Sequence, residues 1–352
     1  MVSRLALVLL SVASFAVTAW ALGRLPSWPE DLGMRARWAW LAEHGADYDT
    51  LVVGSSATAN GFVPAAFDAA CRAEGLEVRS FNFGVEGMDP FEADHTLRVL
   101  LASGLLPNLR YVLIEGNDWS PRIQYPDDER QLWRNERFVF LHDAEATQEA
   151  LTWTRGHLEG DLRQRQLEQH LELAARHVTN LGAGPSWLGS LRGTWSGAPT
   201  REQLAVDHGF VALEELTDRP DVTERRERFL AGLEAYVQQI EAWRQRLDAE
   251  GRPASAPTPE YRAAVERQAQ RLAAIGTRGV YFTGTRTIQT PGLRGLAAEG
   301  ALELLPFNDP AAFPALYAPE ARFDREHLNR EGATRWSGLL GRAFARLVSE
   351  ED

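Results

Sequence analysis

The chain has 352 residues, with 49 acidic against 37 basic side chains and a net charge of −12 at neutral pH; that length buries a sizeable core in one large domain or two smaller ones. So acidic a protein is a poor match for nucleic acid, whose phosphates require a basic face. Every basic residue is arginine, which with the alanine richness reads as genome composition bias, and the single cysteine, Cys71, excludes an internal disulfide or a cysteine cluster for metal.

Arg4 precedes an uncharged apolar run, Leu5 to Leu22, that ends near Ala19-Trp20-Ala21, a small-x-small cleavage pattern. Residues 1–23 are therefore expected to direct export, as a signal peptide or, in the reading favoured here, an uncleaved membrane anchor, since the run approaches the ~20 residues a bilayer requires. Trp20 would then sit at the interface. No cysteine follows the run, which excludes a lipoprotein anchor. Residues 24–46 read as a Pro/Trp-containing linker and a short helix from about Arg35 to His44.

The pattern that follows is α/β. Leu51-Val52-Val53-Gly54 is a buried strand, Val63 to about Glu74 a helix with proline in its first turn, and Val78 to Phe83 a second strand ending at Gly84-Val85-Glu86-Gly87. A helix from Pro90 to Ser103, with Leu97, Leu100 and Leu101 on one face, leads to a third strand, Tyr111 to Ile114. Strand and helix alternate over short connections, which predicts a three-layer sandwich: a central parallel sheet with helices on both faces.

From Trp119 to about Pro259 the sequence turns polar and helix-rich, and residues 119–259 are read as a helical insertion between two halves of the domain, 47–118 and 260–352. Leu167, Leu171, Ala174, Val178 and Leu181 fall at helical spacing, as do Phe229, Leu233, Tyr236, Val237, Ile240 and Leu247; Gly182 to Pro199 reads as a loop. Arg225-Arg226, interleaved with glutamates, reads as a solvated face. A helix from about Glu260 to Ile275, a strand over Gly279 to Gly284, a short apolar run at Ala301 to Leu305 and a last helix from Glu331 to Val348 complete the chain.

Two stretches carry candidate chemistry. Gly54-Ser55-Ser56 stands at a strand's carboxyl end, where open α/β sheets place ligands. Asp324 and His327 precede the final helix three residues apart, a spacing that can set a carboxylate against one imidazole nitrogen and leave the other to take a proton from a serine hydroxyl. The same spacing also fits a helix-capping aspartate beside a surface histidine. The remaining histidines, His44, His95, His142, His157, His170, His177 and His208, lack metal-ligand spacing and read as surface or satisfied positions.

In order, Gly54-Ser55-Ser56, Asn82-Phe83-Gly84-Val85-Glu86-Gly87, Gly116-Asn117-Asp118 and Asp324-Arg325-Glu326-His327-Leu328-Asn329 resemble the SGNH (GDSL-like) hydrolase superfamily, in the envelope branch that includes the D-alanyl-transfer and alginate-acetylation proteins. The match covers roughly residues 47 to 118 and 260 to 348. The resemblance implies Ser56 as nucleophile, with Ser55 in place of the usual aspartate, His327 as general base and Asp324 as its orienting partner. It implies an oxyanion hole from the backbone N–H groups of Ser56 and Gly87, with Asn117 as third donor. The third block is one residue shorter than the family's Gly-x-Asn-Asp, which makes Glu115 an alternative pocket residue.

These residues lead to the expectation of a serine esterase or O-acyltransferase of the cell envelope. It would act on acyl groups, chiefly acetyl, of a surface or secreted glycan, without metal, nucleotide or redox cofactor. Two other classes are carried beside it. One is a non-catalytic SGNH-like protein that binds glycan or scaffolds an acylation or secretion complex. The other is a lipase-like enzyme, which an apolar pocket would favour.

Overall fold

A computed structural model of the protein describes residues 4–22, 29, 33–117, 119–121, 123, 136–179, 198–216 and 218–350. The chain divides into two compact units, one formed by residues 36–120 with 196–352 and the other by residues 1–35 with 121–195. In chain order the first unit contains α1 (Met34–His44) from Ala36 onward, then β1 (Thr50–Gly54), α2 (Ser56–Ala59), α3 (Pro64–Ala73), β2 (Ser80–Gly84), α4 (Pro90–Ala102) and β3 (Tyr111–Glu115). After the second unit's residues come α5 (Arg201–Asp207), α6 (Pro220–Ala231), α7 (Leu233–Glu250), α8 (Pro259–Ala273), β4 (Arg278–Thr283), α9 (Pro291–Ala298), β5 (Leu304–Pro306), α10 (Pro314–Tyr317) and α11 (Arg330–Ser349).

The five strands are all parallel in the order β2-β1-β3-β4-β5. Because β1 lies between β2 and β3, the chain reverses its direction across the sheet there, and the crevice beyond their carboxyl ends is the topological switch point where such sheets bind ligands. The expected three-layer α/β sandwich is thus the fold observed. Side chains alternate across the strands: Val52, Leu113, Val280 and Phe282 enter a core shared with Phe67 of α3 and Trp336, Leu340 and Phe344 of α11. Tyr281, from the opposite face of β4, donates its hydroxyl proton to Gln268 of α8. On the first face α3 and α11 approach closely because Gly341 has no side chain; a Cβ there would stand 2.6 Å from the Phe67 carbonyl oxygen. Cys71 lies in this contact, and burial pushes its thiol up to about 12, so it behaves as a small apolar residue.

Several boundaries move. The second strand begins at Ser80 instead of Val78, anchored by Asp68 of α3, whose carboxylate accepts from the Ser80 hydroxyl at 2.6 Å and from its N–H at 3.2 Å. Gly232 divides the apolar series from Phe229 to Leu247 between α6 and α7. The run at 301–305 contributes only the three-residue edge strand β5, where a terminal proline costs no ladder bond.

Asp68 yields a pH prediction. Burial pushes its carboxyl up to about 6 against the pull of its bonds from Ser80. A carboxyl raised in the folded state contributes stability that is intact below the unfolded value near 4 and lost as pH rises through about 6. Asp68→Asn is therefore expected to raise stability at pH 8 by about 1 kcal/mol, allowing for partial exposure, and to change it little at pH 4. Urea midpoints at the two pH values check this; equal losses at both would mean that the shape and hydrogen bonding of the side chain, not its charge, set its contribution.

The stretch read as a helical insertion lies between β3 and β4 in sequence, and the two compact units divide it. Its later part, from residue 196, belongs to the sheet unit. The exposed edge of β2 is covered by His208-Gly209, with the Asn82 N–H donating to the His208 carbonyl at 2.9 Å and buried Arg37 of α1 donating to the Asn82 and Gly209 carbonyls at 3.3 and 2.9 Å. Burial brings the Arg37 guanidinium down to about 10, which leaves it charged at neutral pH. Gly209 has φ +95°, and a Cβ there would meet the Asn82 carbonyl oxygen at 2.1 Å. Gly209→Ala is accordingly expected to cost about 3 kcal/mol, from the left-handed backbone and the displaced edge cover together; thermal unfolding measures it.

The second unit is helical. The helices Glu136–Phe140, Ala144–His157 and Gly160–Thr179 follow one another, and Leu173 packs with Ile123, Phe138 and Val139. Leu171 and Val178, read at helical spacing, lie in the helix Gly160–Thr179 and are exposed; Leu181 and most of the expected 182–199 loop lie outside the described residues, as does most of the 24–33 linker. The amino-terminal run folds as the helix Arg4–Leu22, with Leu10 and Val17 among its exposed side chains. No helix among the described residues is long and apolar enough to cross a membrane, so the anchor reading gains no support from it.

Candidate active site

Ser56 opens α2 directly beyond β1, with Ser55 as N-cap in extended backbone accepting the Ala57 N–H on its hydroxyl at 3.2 Å. The first N–H groups of a helix have no partner inside it, so those of this turn need acceptors elsewhere. The Ser55 N–H donates to Glu115 Oε2 at 2.7 Å, and the Thr58 and Ala59 N–H groups donate to the Ser55 carbonyl at 3.0 and 2.9 Å. Among the described residues the Ser56 N–H alone in this series has no acceptor. Buried Asn82 of β2 fixes the far end of the turn, its amide donating to the carbonyls of Thr58 and Phe62 at 2.9 and 2.8 Å.

The other half of the site arrives 271 residues later in sequence: the Ser56 hydroxyl stands 2.8 Å from His327 Nε2. His327 Nδ1 lies 2.9 Å from both carboxylate oxygens of Asp324. A carboxylate only accepts, so Nδ1 carries the proton and Nε2 offers its lone pair to the serine, a tautomer assigned from the network. Asp324 is built into a tight loop in which its Oδ1 also accepts the Glu326 and His327 N–H groups at 2.8 Å each, while the Phe323 N–H closes on the His327 carbonyl at 2.9 Å. Burial by itself raises the Asp324 carboxyl; the bond and charge of His327 and the two backbone donors outweigh it and hold the group well below the usual carboxylate range. Asp324 and His327 are both buried, so the capping-aspartate reading is set aside.

The loop is braced by residues that sequence placed in solvent. Arg226 of α6 donates to the carbonyls of Arg322 and Phe323 at 2.8 and 2.7 Å, and Arg225 Nη1 lies 3.7 Å from Asp324 Oδ2. Interleaving with glutamates concealed this, because a helix-surface pattern carries no information about which loop will pack over it.

Gly87 occupies the turn after β2, which is tied to the nucleophile strand by the Val85 N–H donating to the Gly54 carbonyl at 2.9 Å. Its φ is +71°, and a Cβ there would meet nothing within 4 Å, so backbone conformation, not crowding, calls for glycine. Among the described residues its N–H has no acceptor, and the adjoining Glu86 is held by Arg219 at 2.9 Å. Asn117 stands half-buried two residues past β3, and Asp118 lies outside the described residues. Glu115, at the end of the same strand, accepts from the hydroxyls of Ser55 at 2.9 Å and Thr58 at 2.6 Å and so ties β3 to the Ser55–Thr58 turn. A carboxylate closing an otherwise apolar strand was the signal for it.

The other histidines lie apart from this network. His142 and His170 form a buried hydrogen-bonded pair at 2.9 Å in the helical unit. Among the described residues no group of three or more His, Cys, Asp or Glu side chains is placed to hold a metal. A cavity of about 280 Å³ lined by Leu151, Ala174, Val178 and Arg155 belongs wholly to the helical unit and contains no residue of the triad. Neither protein-family models nor curated proteins give a match to the chain.

Proposed function

We propose that this chain is a serine esterase or O-acyltransferase of the cell envelope that moves acyl groups, chiefly acetyl, on or off a surface or secreted glycan. One observation carries the reading: a serine hydroxyl, a histidine and a buried ionised aspartate in hydrogen-bonded series, at 2.8 and 2.9 Å, beside a backbone N–H without an acceptor. Ser56 Oγ attacks the ester carbonyl carbon as His327 Nε2 takes its proton, and Asp324 stabilises the imidazolium that results. The N–H groups of Ser56 and Gly87 receive the oxyanion; a donor of this type is worth about 3 kcal/mol. Collapse of the tetrahedral intermediate breaks the ester C–O bond, His327 returns the proton to the departing alkoxide, and the acyl group remains on Ser56. Water or a sugar hydroxyl, deprotonated by His327, then takes the acyl group and regenerates the serine.

The envelope location rests on the uncharged run after Arg4 and on the resemblance of the four motifs to envelope acyl-transfer proteins; the glycan substrate rests on that resemblance alone. A fluorophosphonate probe tests the chemistry. The wild-type protein is expected to label covalently and the Ser56→Ala variant not at all. A wild-type protein that neither labels nor hydrolyses a short acyl ester would leave a binding or scaffolding role in its place.

A further inference from the structure

Among the described residues, Glu115 is the one charged side chain in direct hydrogen-bond contact with the nucleophile turn that the reaction sequence above does not use. Its carboxylate takes three donors from that turn: the Ser55 N–H at 2.7 Å, the Ser55 hydroxyl at 2.9 Å and the Thr58 hydroxyl at 2.6 Å. The surroundings are shaped around it. A Cβ at Gly54 would lie 2.4 Å from Glu115 Oε2 and 2.2 Å from Thr58 Oγ1, and one at Gly284, just beyond β4, would lie 3.7 Å from Oε1. The carboxylate thus occupies the space between the ends of β1 and β4, and β1 must end in glycine to admit it.

We propose that Glu115 is a positioning residue for Ser56, its carboxylate clamping the Ser55–Thr58 turn so that the Ser56 N–H and hydroxyl are both presented to the substrate carbonyl. The inference rests on the esterase reading above. By consuming the Ser55 N–H, Glu115 leaves the Ser56 N–H as the turn's first unoccupied donor; by orienting the Ser55 hydroxyl, it directs that oxygen's lone pair to the Ala57 N–H, which would otherwise compete for the oxyanion. Rotation of this turn by a fraction of an ångström would spoil the aim of the N–H and the contact with His327 together.

Glu115→Gln tests the clamp. The labelling rate of Ser56 is expected to fall by about 10–100-fold, with KM for a short ester changing by less than about twofold. The double variant Ser55→Asp/Glu115→Gln reverses the polarity of one hydrogen bond and supplies a good N-cap; it is expected to recover at least about tenfold of the loss, which a general weakening of the fold would not permit. The ¹⁵N resonance of His327 Nε2 reports independently whether the Ser56 hydroxyl still donates to it, and is expected to move in Glu115→Gln.

Labelling at the wild-type rate with an unmoved resonance overturns the proposal. Wild-type protein that fails to label overturns the esterase reading alone, and the Nε2 resonance of Glu115→Gln then decides the clamp by itself: moved, it stands; unmoved, it falls. If Glu115→Gln does not fold, Ser55→Ala and Thr58→Val each remove one bond to the carboxylate, and stepwise slowing supports the clamp while unchanged labelling in both overturns it.

Discussion

Replacing His327 by alanine is expected to lower kcat for a short acyl ester by about 10⁴–10⁶-fold, the scale on which triad members act as a unit. Folding is expected to suffer far less. The loop keeps its backbone bonds, with the residue 327 N–H still on Asp324 Oδ1 and its carbonyl still accepting from Phe323. Asp324 would lose its imidazole partner but retain two N–H donors at 2.8 Å and Arg225 at 3.7 Å. The residual cost is on the order of 1 kcal/mol. Steady-state kinetics and thermal unfolding on the same preparation separate the two effects; a large stability loss with modest kinetic change would instead make His327 a structural residue.

Asp324→Asn is expected to reduce kcat by about 10⁴-fold, because an amide facing Nδ1 stabilises the tautomer whose Nε2 carries the proton and cannot accept one from Ser56. This substitution also carries a stability signature. The Asp324 carboxyl is depressed in the folded protein, so its contribution is complete above the unfolded value of about 4 and disappears as pH falls through the lower folded value. The difference in unfolding free energy between wild type and Asp324→Asn is therefore expected to be about 1–3 kcal/mol at pH 7 and to shrink as the pH is lowered below about 4. A difference independent of pH would mean that shape, not charge, holds the loop.

Sequence periodicity was sufficient for the sheet, because buried parallel strands are short apolar runs and each is bounded here by glycine or a polar turn. Periodicity did not point to Ser56, His327 and Asp324; the resemblance of their motifs did, and the fold brings the three side chains within hydrogen-bond distance. Periodicity failed where meaning depends on a partner far along the chain. Arg225 and Arg226 have the pattern of a solvated helix and instead brace the Asp324 loop. Asn82 reads as one polar residue in an alternating strand, yet all five residues of β2 are buried and its amide fixes the turn that carries Ser56. Within the helical stretch between β3 and β4, nothing local announces that Gly209 will lie against the edge of β2. Glu115 was visible as an anomaly, but the three bonds that give it meaning come from a turn some 60 residues earlier.

The separation of Ser56 from His327 has a consequence for biosynthesis. At ~5–20 residues per second, a ribosome completes β1 and Ser56 tens of seconds before it reaches the histidine 271 positions later. During that interval the serine hydroxyl has no base beside it and is an ordinary alcohol. A chain that stalls, or is clipped before the final helix, carries Ser56 without the imidazole that accepts its hydrogen bond. On the function proposed above, reactivity toward esters is expected only of molecules in which the last segment has been made and has docked.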